Sequence, residues 1–581
     1  MRNVRTNLQT IRQKPSAVFA SGMLWGVNLR PKNFTCTFHL FLLLGVLLLL
    51  MSCHRLAPVS VSFSQSSNSI PAYDFVEVTA SVSPPHASDP FTDAEFSGWF
   101  ELSNGSKRWQ VEGFCDSEDG SVFHIRFMAP VPGNYKFSVN YHQGWATRTF
   151  SGDFHASDGH IRGPIRVDPQ YPWHFVWEGT GEHYFFNGTT AYWLMGWQDE
   201  SIIQSSIERL HRLKVNRIRV TVAGRSNLLY GEPVMLDTNW TVFITPWPAK
   251  FAADPYHPGF DYTRFDVSYW QKFDRALRYA RDRDMIISLV LDMNDGRVHP
   301  AEYSADERRF IHYTVARFGA FSNITWDLGD DLDRYRGALW THLTGTWLED
   351  LDPYHHLATS HPINNQHQDR ASPWFGFTSF QEWSRDQHSF MLAQRKMQQE
   401  AGCIIPQANE EYGYEDHYPL WSAGLGTESA DTLRRTAWEI TMAGAYQTTG
   451  ESARRGTNVW PDTGGGWMNG RGDDSMTMLQ GYAHMVDFFT SFEWWKTDPH
   501  DELVSSGAFC LASPGETYAV YLPKGGSVAV RLPPGRYSGK WFNSVTGVWL
   551  ELPPIQGSSW TSPAVSSAND WALLLQRISS Q

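Results

Sequence analysis

The stretch Asp199–Gly224, DESIIQSSIERLHRLKVNRIRVTVAG, combines a helix and a strand in one unit. Its apolar residues recur at helical spacing, at Ile203, Ile207, Leu210 and Leu213. Asn216 is the predicted stop of this helix, and the predicted strand Ile218–Val222 follows directly. A helix that leads straight into a strand is the repeating element of a parallel α/β fold.

Two further units repeat this pattern. Phe273, Leu277 and Ala280 lie on a predicted helix that leads into Met285–Leu291, an apolar run typical of a strand buried on both faces. The next unit opens with a capping box, Ser304 and Glu307, and ends in the predicted strand Ile324–Leu328. The other candidate strands are YFFNGTTAYW (184–193), HLATSHP (356–362), WFGFTSFQ (374–381), CIIPQ (403–407) and AGAYQTT (443–449).

These repeats extend over roughly 320 residues and predict a (β/α)8 TIM barrel of the α/β class. A doubly wound sheet is the alternative, but no Gly-rich phosphate loop follows an early strand. Alternating runs such as FVEVTASV and YKFSVNYH predict a β-sandwich before the barrel, and TYAVYLP and WALLLQR predict a second one after it. We therefore expect a targeting segment at 1–53, an N-terminal sandwich at 60–160, the barrel at 165–498 and a C-terminal sandwich at 499–581.

The N-terminal segment has the pattern of an export signal. Leu40–Met51, LFLLLGVLLLLM, is short for a membrane-spanning helix and typical of a signal-peptide core. The next residues, LMSCH, resemble the bacterial lipoprotein cleavage box, in which Cys53 would be lipidated and become the mature N-terminus. An uncleaved anchor helix over Phe34–Met51 is the alternative. In either case the sequence predicts an exported protein of the cell envelope, anchored to the membrane by a lipid or secreted.

Composition narrows the class of partner. The net charge of −13 argues against nucleic acid, because phosphate binding needs a basic face. The 26 tryptophans offer flat surfaces on which sugar rings can stack. Outside the targeting segment, Cys115, Cys403 and Cys510 form neither a disulfide framework nor a CxxC metal motif.

Polar residues that follow the predicted barrel strands mark the candidate site, because barrel active sites lie at the C-terminal ends of the strands. In strand order from the third strand, they are Asp292, Asn294, Asp330, Asp331, His361, Gln381, Glu382, Glu410, Glu411, Glu415, Trp460 and Asp462. Carboxyl groups after strands four and seven lie on opposite sides of the barrel mouth. This arrangement suits glycoside hydrolysis, in which one carboxyl protonates the leaving oxygen and the other attacks or activates water.

The same residues resemble the apiosidase-like glycoside hydrolases, a barrel family. Its fourth strand ends in Trp-x-Leu-Gly-Gly-Asp, here Trp326–Asp331, and its seventh in Glu-x-x-Tyr-Glu, here Glu411–Glu415. The resemblance implies that Asp331 is the acid/base and Glu411 the nucleophile. Asp330 replaces the second glycine of the family pattern, so this extra carboxylate either lies beside the acid or is itself the acid.

The flanking segments extend this resemblance to about 500 residues. DPFTDAEFSGWFEL, Asp89–Leu102, resembles the β-sandwich of unknown function that commonly precedes such barrels. Thr517–Gly547 resembles a C-terminal collagen-binding-type domain.

Several assignments stay open at this point. Glu410 rivals Glu411, because a slip of one residue in the strand would exchange which acid faces inward. Asp327 is expected to point outward or to support the loop. The candidate substrate-binding residues are Asp292, Asp330, His361, Gln381, Tyr414 and Trp460, and Trp326 is either core or sugar platform. No metal or other cofactor is expected: His361 and His367 share their segment with no third ligand.

The sequence therefore predicts an exported glycoside hydrolase that acts on a polysaccharide or its side chains through two carboxylates and a retaining mechanism. The alternative is a carbohydrate-binding or surface-adhesion protein on a barrel that has lost its activity.

Overall fold

Two antiparallel sheets begin the described chain. The computed structural model describes residues 60–223, 239–241, 244, 246–251, 257–293, 298–365, 368–415, 427–451, 466–472 and 474–578. The first nine strands are β1 (Ser60–Gln65), β2 (Ser69–Pro71), β3 (Phe75–Ser83), β4 (Ala94–Leu102), β5 (Arg108–Glu112), β6 (Phe114–Cys115), β7 (Val122–Met128), β8 (Gly133–Gln143) and β9 (Ala146–Ser157). One sheet has the order β1-β3-β7-β6 and the other β2-β9-β8-β4-β5, where only the short β2 pairs in parallel. Side chains alternate between buried and exposed along these strands, so the predicted N-terminal β fold is confirmed.

A small antiparallel sheet leads into a parallel barrel. The small sheet consists of β10 (Ile165–Val167), β11 (Phe175–Trp177) and β12 (His183–Tyr184). The barrel strands are β13 (Asn187–Thr190), β14 (Arg217–Thr221), β15 (Ile286–Val290), β16 (Ile324–Asp327), β17 (Ala358–Thr359), β18 (Thr378–Gln381), β19 (Gln407–Glu411) and β22 (Tyr446–Glu451). Between the last two lie β20 (Tyr414–Glu415) and β21 (Thr427–Glu428). The strand order is β17-β16-β15-β14-β13-β22-β19-β18, and a parallel bridge between Ala358 and Phe375 joins its two ends.

The barrel confirms the predicted (β/α)8 fold and excludes the doubly wound alternative. The fourth and seventh of its eight strands are β16 and β19. The sequence pattern put the seventh strand at Cys403–Gln407, whereas β19 begins at Gln407 and ends at Glu411. The two adjacent glutamates are therefore part of the strand rather than of the loop behind it.

Helices surround the barrel, and several begin at a side-chain cap. They are α1 (Glu200–Arg212), α2 (Val267–Arg281), α3 (Ala305–Phe318), α4 (Ala338–Leu351), α5 (Gln387–Ala401), α6 (Ala430–Met442), α7 (Gly466–Asn469) and α8 (Met478–Phe489). Short 3-10 turns lie at Leu194–Gly196, Leu332–Arg334, Trp494–Lys496 and Asp501–Leu503. The predicted cap of α3 is confirmed, because the Ser304 side chain accepts a hydrogen bond from the Glu307 backbone N–H at 3.1 Å. The Glu307 carboxylate accepts in turn from the Tyr303 backbone N–H, one residue before the usual position.

The last strands form a second antiparallel β region. They are β23 (Asp498–Pro499), β24 (Phe509–Ser513), β25 (Thr517–Leu522), β26 (Ala529–Arg531), β27 (Arg536–Asn543), β28 (Trp549–Gln556), β29 (Ser559–Thr561) and β30 (Trp571–Arg577). A six-stranded sheet, β23-β24-β25-β30-β27-β28, packs with the β26–β29 pair around an apolar core. The predicted C-terminal β fold is thus confirmed.

Buried ion pairs join both flanking β regions to the barrel. Arg126 on β7 donates two hydrogen bonds of 2.9 Å to the Asp274 carboxylate on α2, and Arg317 on α3 donates to the same carboxylate at 2.7 Å. At the other flank, Arg434 on α6 forms an ion pair with the fully buried Asp570, next to β30. The described residues pack as one compact unit, and the domain boundaries stay predictions.

The targeting segment lies outside the described residues, and so does Cys53. Within the described part of the chain, no helix has both the length and the apolar character needed to cross a bilayer.

Candidate active site

The C-terminal end of β16 holds the two neighbouring aspartates at the barrel mouth. The Asp330 backbone N–H donates to the Asp292 carbonyl at 3.0 Å and forms a parallel bridge just beyond the paired residues of β15 and β16. Asp331 follows with φ = 53°, a left-handed conformation that aspartate tolerates better than most residues. The chain then enters the 3-10 turn Leu332–Arg334, which the Leu332 N–H ties to the His361 carbonyl at 3.0 Å.

Asp330, His361 and Glu411 come together from three different strands. The His361 Nε2 atom lies 3.6 Å from Asp330 Oδ1 and 3.6 Å from Glu411 Oε2. One ligand atom from each of the three residues lies within 4.8 Å of the other two. All three side chains are buried, so this part of the mouth is a closely packed polar corner.

Tyr192 and Arg219 support this corner from the first two barrel strands. The Tyr192 hydroxyl donates to Asp330 Oδ1 at 2.9 Å and lies 3.4 Å from Glu411 Oε2. Arg219 donates to the Tyr192 oxygen at 2.9 Å and to Asp330 Oδ1 at 3.2 Å. Burial raises the pKa of Tyr192 well above its ordinary value despite the opposing charge of Arg219, so the phenol stays a hydrogen-bond donor.

A second layer of charge lies deeper in the barrel. Arg219 also donates to Asp327 Oδ2 at 2.9 Å, and burial raises the pKa of Asp327 to about 7 although Arg219 opposes this shift. Arg217 forms an ion pair with Glu410, and both side chains are fully buried. Burial opposes ionisation of Glu410, but Arg217 and Arg219 outweigh it and hold the pKa of Glu410 below its ordinary value.

These contacts distinguish the paired acids that the sequence left open. Glu410 is bound inside the barrel by Arg217, whereas Glu411 accepts a hydrogen bond from Gln381 Nε2 at 3.1 Å beside the polar corner. The expectation that Asp327 points outward is wrong, because its side chain is fully buried and bonded to Arg219. The expectation that Asp327 supports the loop is confirmed, because Asp327 Oδ1 accepts from the Gly329 N–H at 3.1 Å.

Asp331 lies at the rim of this arrangement. Its side chain is 12% exposed, and its Oδ2 atom lies 3.5 Å from a guanidinium nitrogen of Arg334. Asp330, one residue before it, is the aspartate that the structure brings next to Glu411. The pairing of Asp331 with Glu411 stays a prediction.

The remaining residues that the sequence suggested for the site differ in their surroundings. Tyr414 is buried near the corner, and burial together with the charges of Glu411 and Asp330 raises its pKa well above the ordinary value. Asp292 is held by Arg336 at 3.0 Å, and its pKa is raised because it is buried. Trp460 lies outside the described residues. Trp326 is core rather than a sugar platform, because it is buried and donates its Nε1–H to Asp352 at 2.9 Å.

His361 is held in place by one ring nitrogen and presents the other to the acids. Its Nδ1 atom lies 2.8 Å from Ser379 Oγ, while among the described residues its buried Nε2 atom has no hydrogen-bond partner. Burial lowers the pKa of His361 well below its ordinary value, so the ring is neutral at neutral pH. A neutral imidazole nitrogen together with two carboxylates is a donor set that can bind a metal ion.

Sequence reasoning missed Tyr192, Arg217, Arg219 and Ser379. A usable signal was present for the arginines: in RIRVT the two arginines alternate along a strand that is buried at every position. Alternating residues share one face of a strand, so both guanidinium groups had to enter the barrel and find carboxylate partners there.

Comparisons with known proteins agree with this barrel. Residues 178–451 match the family described as "Apiosidase-like, catalytic domain", and residues 69–142 match a domain of unknown function, DUF5060. None of the curated proteins compared with the chain matches it significantly.

Solved structures share the fold. A protein from Bacteroides vulgatus ATCC 8482 described as a glycoside hydrolase superposes with a TM-score of 0.71 at 18% identity, over 88% of this chain and 100% of its own. A family 5 glycoside hydrolase from the same organism gives 0.55 at 16% identity, over 72% of this chain and 93% of its own. At these identities the likeness shows the fold, and the matched family adds the class of activity. Residues 178–451 therefore form an apiosidase-like catalytic domain, and this chain is a glycoside hydrolase.

Proposed function

We propose that the protein is an exported retaining glycoside hydrolase that acts on a polysaccharide or its side chains. The observation that carries the mechanism is the close approach of carboxyl groups from the fourth and seventh strands. One oxygen of Asp330 lies within 4.8 Å of one oxygen of Glu411. Retaining enzymes hold their carboxyl pair about 5–5.5 Å apart, whereas inverting enzymes leave more room for a water molecule.

Glu411 is the proposed nucleophile. Gln381 donates to one of its oxygens at 3.1 Å, and the Tyr192 hydroxyl lies 3.4 Å from the other. These two contacts fix the direction of the carboxylate, and a fixed attack geometry lowers the barrier. Glu411 attacks the anomeric carbon while the leaving oxygen takes a proton, and water then cleaves the glycosyl-enzyme ester.

Asp331 is the proposed acid/base, and Asp330 is the second candidate. Asp330 Oδ1 already accepts hydrogen bonds from Tyr192 and Arg219, and both contacts favour a carboxylate rather than a proton donor. Asp331 lies nearer the solvent, where a leaving group departs and water enters. Asp330 stays the second candidate because one of its oxygens lies within 4.8 Å of an oxygen of Glu411.

Three variants and two kinds of substrate distinguish these roles. The substrates are a panel of natural glycans and aryl glycosides with good leaving groups, which need no protonation. Glu411→Gln is expected to lose roughly 10³-fold or more of kcat on both kinds, because the covalent step is gone. Asp331→Asn is expected to lose about 10²–10⁴-fold on natural glycans but to release the activated aryl group, and added azide is expected to accelerate its turnover.

Asp330→Asn is tested on the same natural glycans and aryl glycosides, with and without azide. If azide accelerates this variant and leaves Asp331→Asn unchanged, Asp330 is the acid/base. Asp333→Asn is the matched control, since Asp333 belongs to the same run and accepts hydrogen bonds from the Ile363 and Asn364 backbone N–H groups. A wild-type protein that binds glycans yet releases no sugar from the panel overturns the hydrolase proposal in favour of a binding or adhesion protein.

Export and lipidation at Cys53 are part of the proposal. They are supported by the apolar run Leu40–Met51 and the LMSCH sequence that follows it. Expression in a bacterium with intact lipoprotein processing tests them. Wild-type protein is expected in the membrane fraction with a lipid-modified N-terminus, whereas Cys53→Ala is expected to remain unlipidated.

A further inference from the structure

The corner formed by Asp330, His361 and Glu411 has the composition of a metal site. Its atoms are His361 Nε2, Asp330 Oδ1 and Glu411 Oε2, and both distances from the histidine nitrogen are 3.6 Å. Zinc bonds to nitrogen and oxygen are about 2.0–2.2 Å long, so two ligand atoms of a tetrahedral zinc ion are about 3.4 Å apart. The distances from His361 Nε2 to the two carboxylate oxygens are close to this spacing.

A second observation points to a ligand in this corner. The His361 side chain is fully buried, and among the described residues its Nε2 atom has no hydrogen-bond partner. A buried polar atom without a partner costs about 1–3 kcal/mol, so such atoms usually serve a bound group. This nitrogen faces two carboxylate oxygens, and a cation bound between the three atoms would give the nitrogen a partner.

The histidine is also held in the manner of a metal ligand. Its other ring nitrogen lies 2.8 Å from Ser379 Oγ, which fixes the orientation of the ring. Gln381 holds the Glu411 carboxylate from its other oxygen in a comparable way. We propose that Asp330, His361 and Glu411 bind a divalent transition-metal ion, with zinc as the best match to a nitrogen and two oxygens.

Arg219 limits the affinity of this site. Its guanidinium donates to Asp330 Oδ1 at 3.2 Å, so a metal ion has to share that oxygen with a positive charge. The Tyr192 hydroxyl also donates to Asp330 Oδ1 at 2.9 Å, so a metal ion competes with this hydrogen bond as well. These two features predict reversible, micromolar binding rather than the tight binding of a structural zinc site.

Reversible metal binding would also inhibit the enzyme, an effect that rests on the proposed function. A metal ion on Glu411 Oε2 blocks the nucleophile, so zinc is expected to inhibit glycoside cleavage and a chelator to restore it. Asp330 is one of the three proposed ligands, so Asp330→Asn is also expected to weaken this inhibition.

The test is a titration of the full metal-free chain with Co²⁺, whose visible absorption reports coordination. We expect one equivalent of Co²⁺ to bind and to show the visible absorption bands of a four- or five-coordinate ion. Added zinc is expected to displace the Co²⁺ and abolish these bands. His361→Gln and Asp330→Asn are expected to weaken binding at least tenfold. His342→Gln, which changes a histidine 52% exposed on α4, is the control and is expected to bind as the wild type does.

Each result decides the proposal. Absence of saturable binding to the wild type, or equal binding by His361→Gln and the wild type, overturns it. Circular dichroism and thermal unfolding establish that each variant folds, and Asp330→Asn decides alone if His361→Gln does not fold. The titration measures no turnover, so a protein that cleaves no glycoside but binds Co²⁺ through His361 refutes the proposed function and leaves the metal site standing.

Discussion

Arg219 and Asp330 are joined by a hydrogen bond of 3.2 Å that lies wholly inside the barrel mouth. The same guanidinium group also contacts Asp327 and Tyr192, each at 2.9 Å. It therefore connects the carboxyl group deepest in the fourth strand with the residues around Glu411. This one side chain therefore contributes to both the charge balance and the geometry of the candidate active site.

Arg219→Met is expected to lower kcat/KM by about 10²–10³-fold, because Asp330 and Tyr192 lose the donor that orients them. It also leaves buried carboxyl groups uncompensated, so the free energy of unfolding is expected to fall by about 3–5 kcal/mol. Kinetics on a cleaved glycoside and urea unfolding measure the two effects. Arg219→Lys keeps the charge but not the forked donors, and should give an intermediate loss of activity. Wild-type activity in Arg219→Met would contradict the role given to Tyr192 and Asp330.

Asp274→Asn is expected to destabilise the whole protein. The Asp274 carboxylate accepts from Arg126 and Arg317, so its neutralisation leaves two buried guanidinium groups without their shared partner. Breaking a buried pair in this way costs about 3–5 kcal/mol, which urea unfolding would measure. Glu200→Gln breaks the half-exposed pair with Arg275 and should change stability by at most about 1 kcal/mol. Equal effects of the two substitutions would show that the junction carries no special stability.

Gly345→Ala tests the packing of α4 on Trp374. A Cβ atom at position 345 would lie 2.2 Å from Trp374 Cε2, closer than two carbon atoms can approach. The strain of such overpacking is about 1–3 kcal/mol and exceeds the gain of at most about 1 kcal/mol in helix propensity. The melting temperature is therefore expected to fall. Thr346→Ala, at the exposed neighbouring position, should be neutral or slightly stabilising, and the same result for Gly345→Ala would refute the close contact.

Glu439→Gln is expected to change how stability depends on pH. Burial raises the pKa of Glu439 to about 7 from an ordinary value of 4.5. The folded protein therefore binds this proton more tightly than the unfolded chain, and its free energy of unfolding falls as the pH rises from about 4.5 to 7. Glutamine does not ionise, so the variant should be more stable than the wild type at pH 8, with a difference that shrinks towards pH 4.5. Thermal unfolding across this range measures the difference.

The Glu439 comparison needs a control for the loss of a carboxylate. Glu400→Gln, at an exposed position near the end of α5, provides it. If the advantage of Glu439→Gln stays the same at every pH, the raised pKa is not its cause.

The sequence was sufficient for the fold because local signals were strong. The helical spacing of Ile203, Ile207 and Leu210 and the cap at Ser304 appear in the structure at the expected places. The start of the seventh strand was misplaced because Gln407–Glu411 is polar, and only burial inside the barrel with Arg217 explains why these residues form a strand. Polar barrel strands carry no hydrophobic period that a sequence pattern can detect.

The site was predicted less completely than the fold, because its geometry depends on contacts between distant parts of the chain. Residues after strand ends were identified, among them Asp330, His361, Gln381 and Glu411, because topology alone places them together. Which aspartate approaches Glu411 depends on the left-handed turn at Asp331, and no propensity in the sequence specifies that turn. The sequence around His361 offers no third metal ligand. Asp330 and Glu411 lie 31 and 50 residues away in the chain, and the closed barrel brings them next to His361.

The carboxylate of Asp274, shared by Arg126 and Arg317, also determines which fragments of the protein can be expressed in folded form. A fragment trimmed to the matched region 178–451 would keep Asp274 and Arg317 but lose Arg126, and it would uncover Tyr313 on α3, which packs against Phe114. Such a fragment would misfold or aggregate in a screen and be scored as inactive. The upstream sheets therefore have to be cloned together with the barrel whenever its chemistry is assayed.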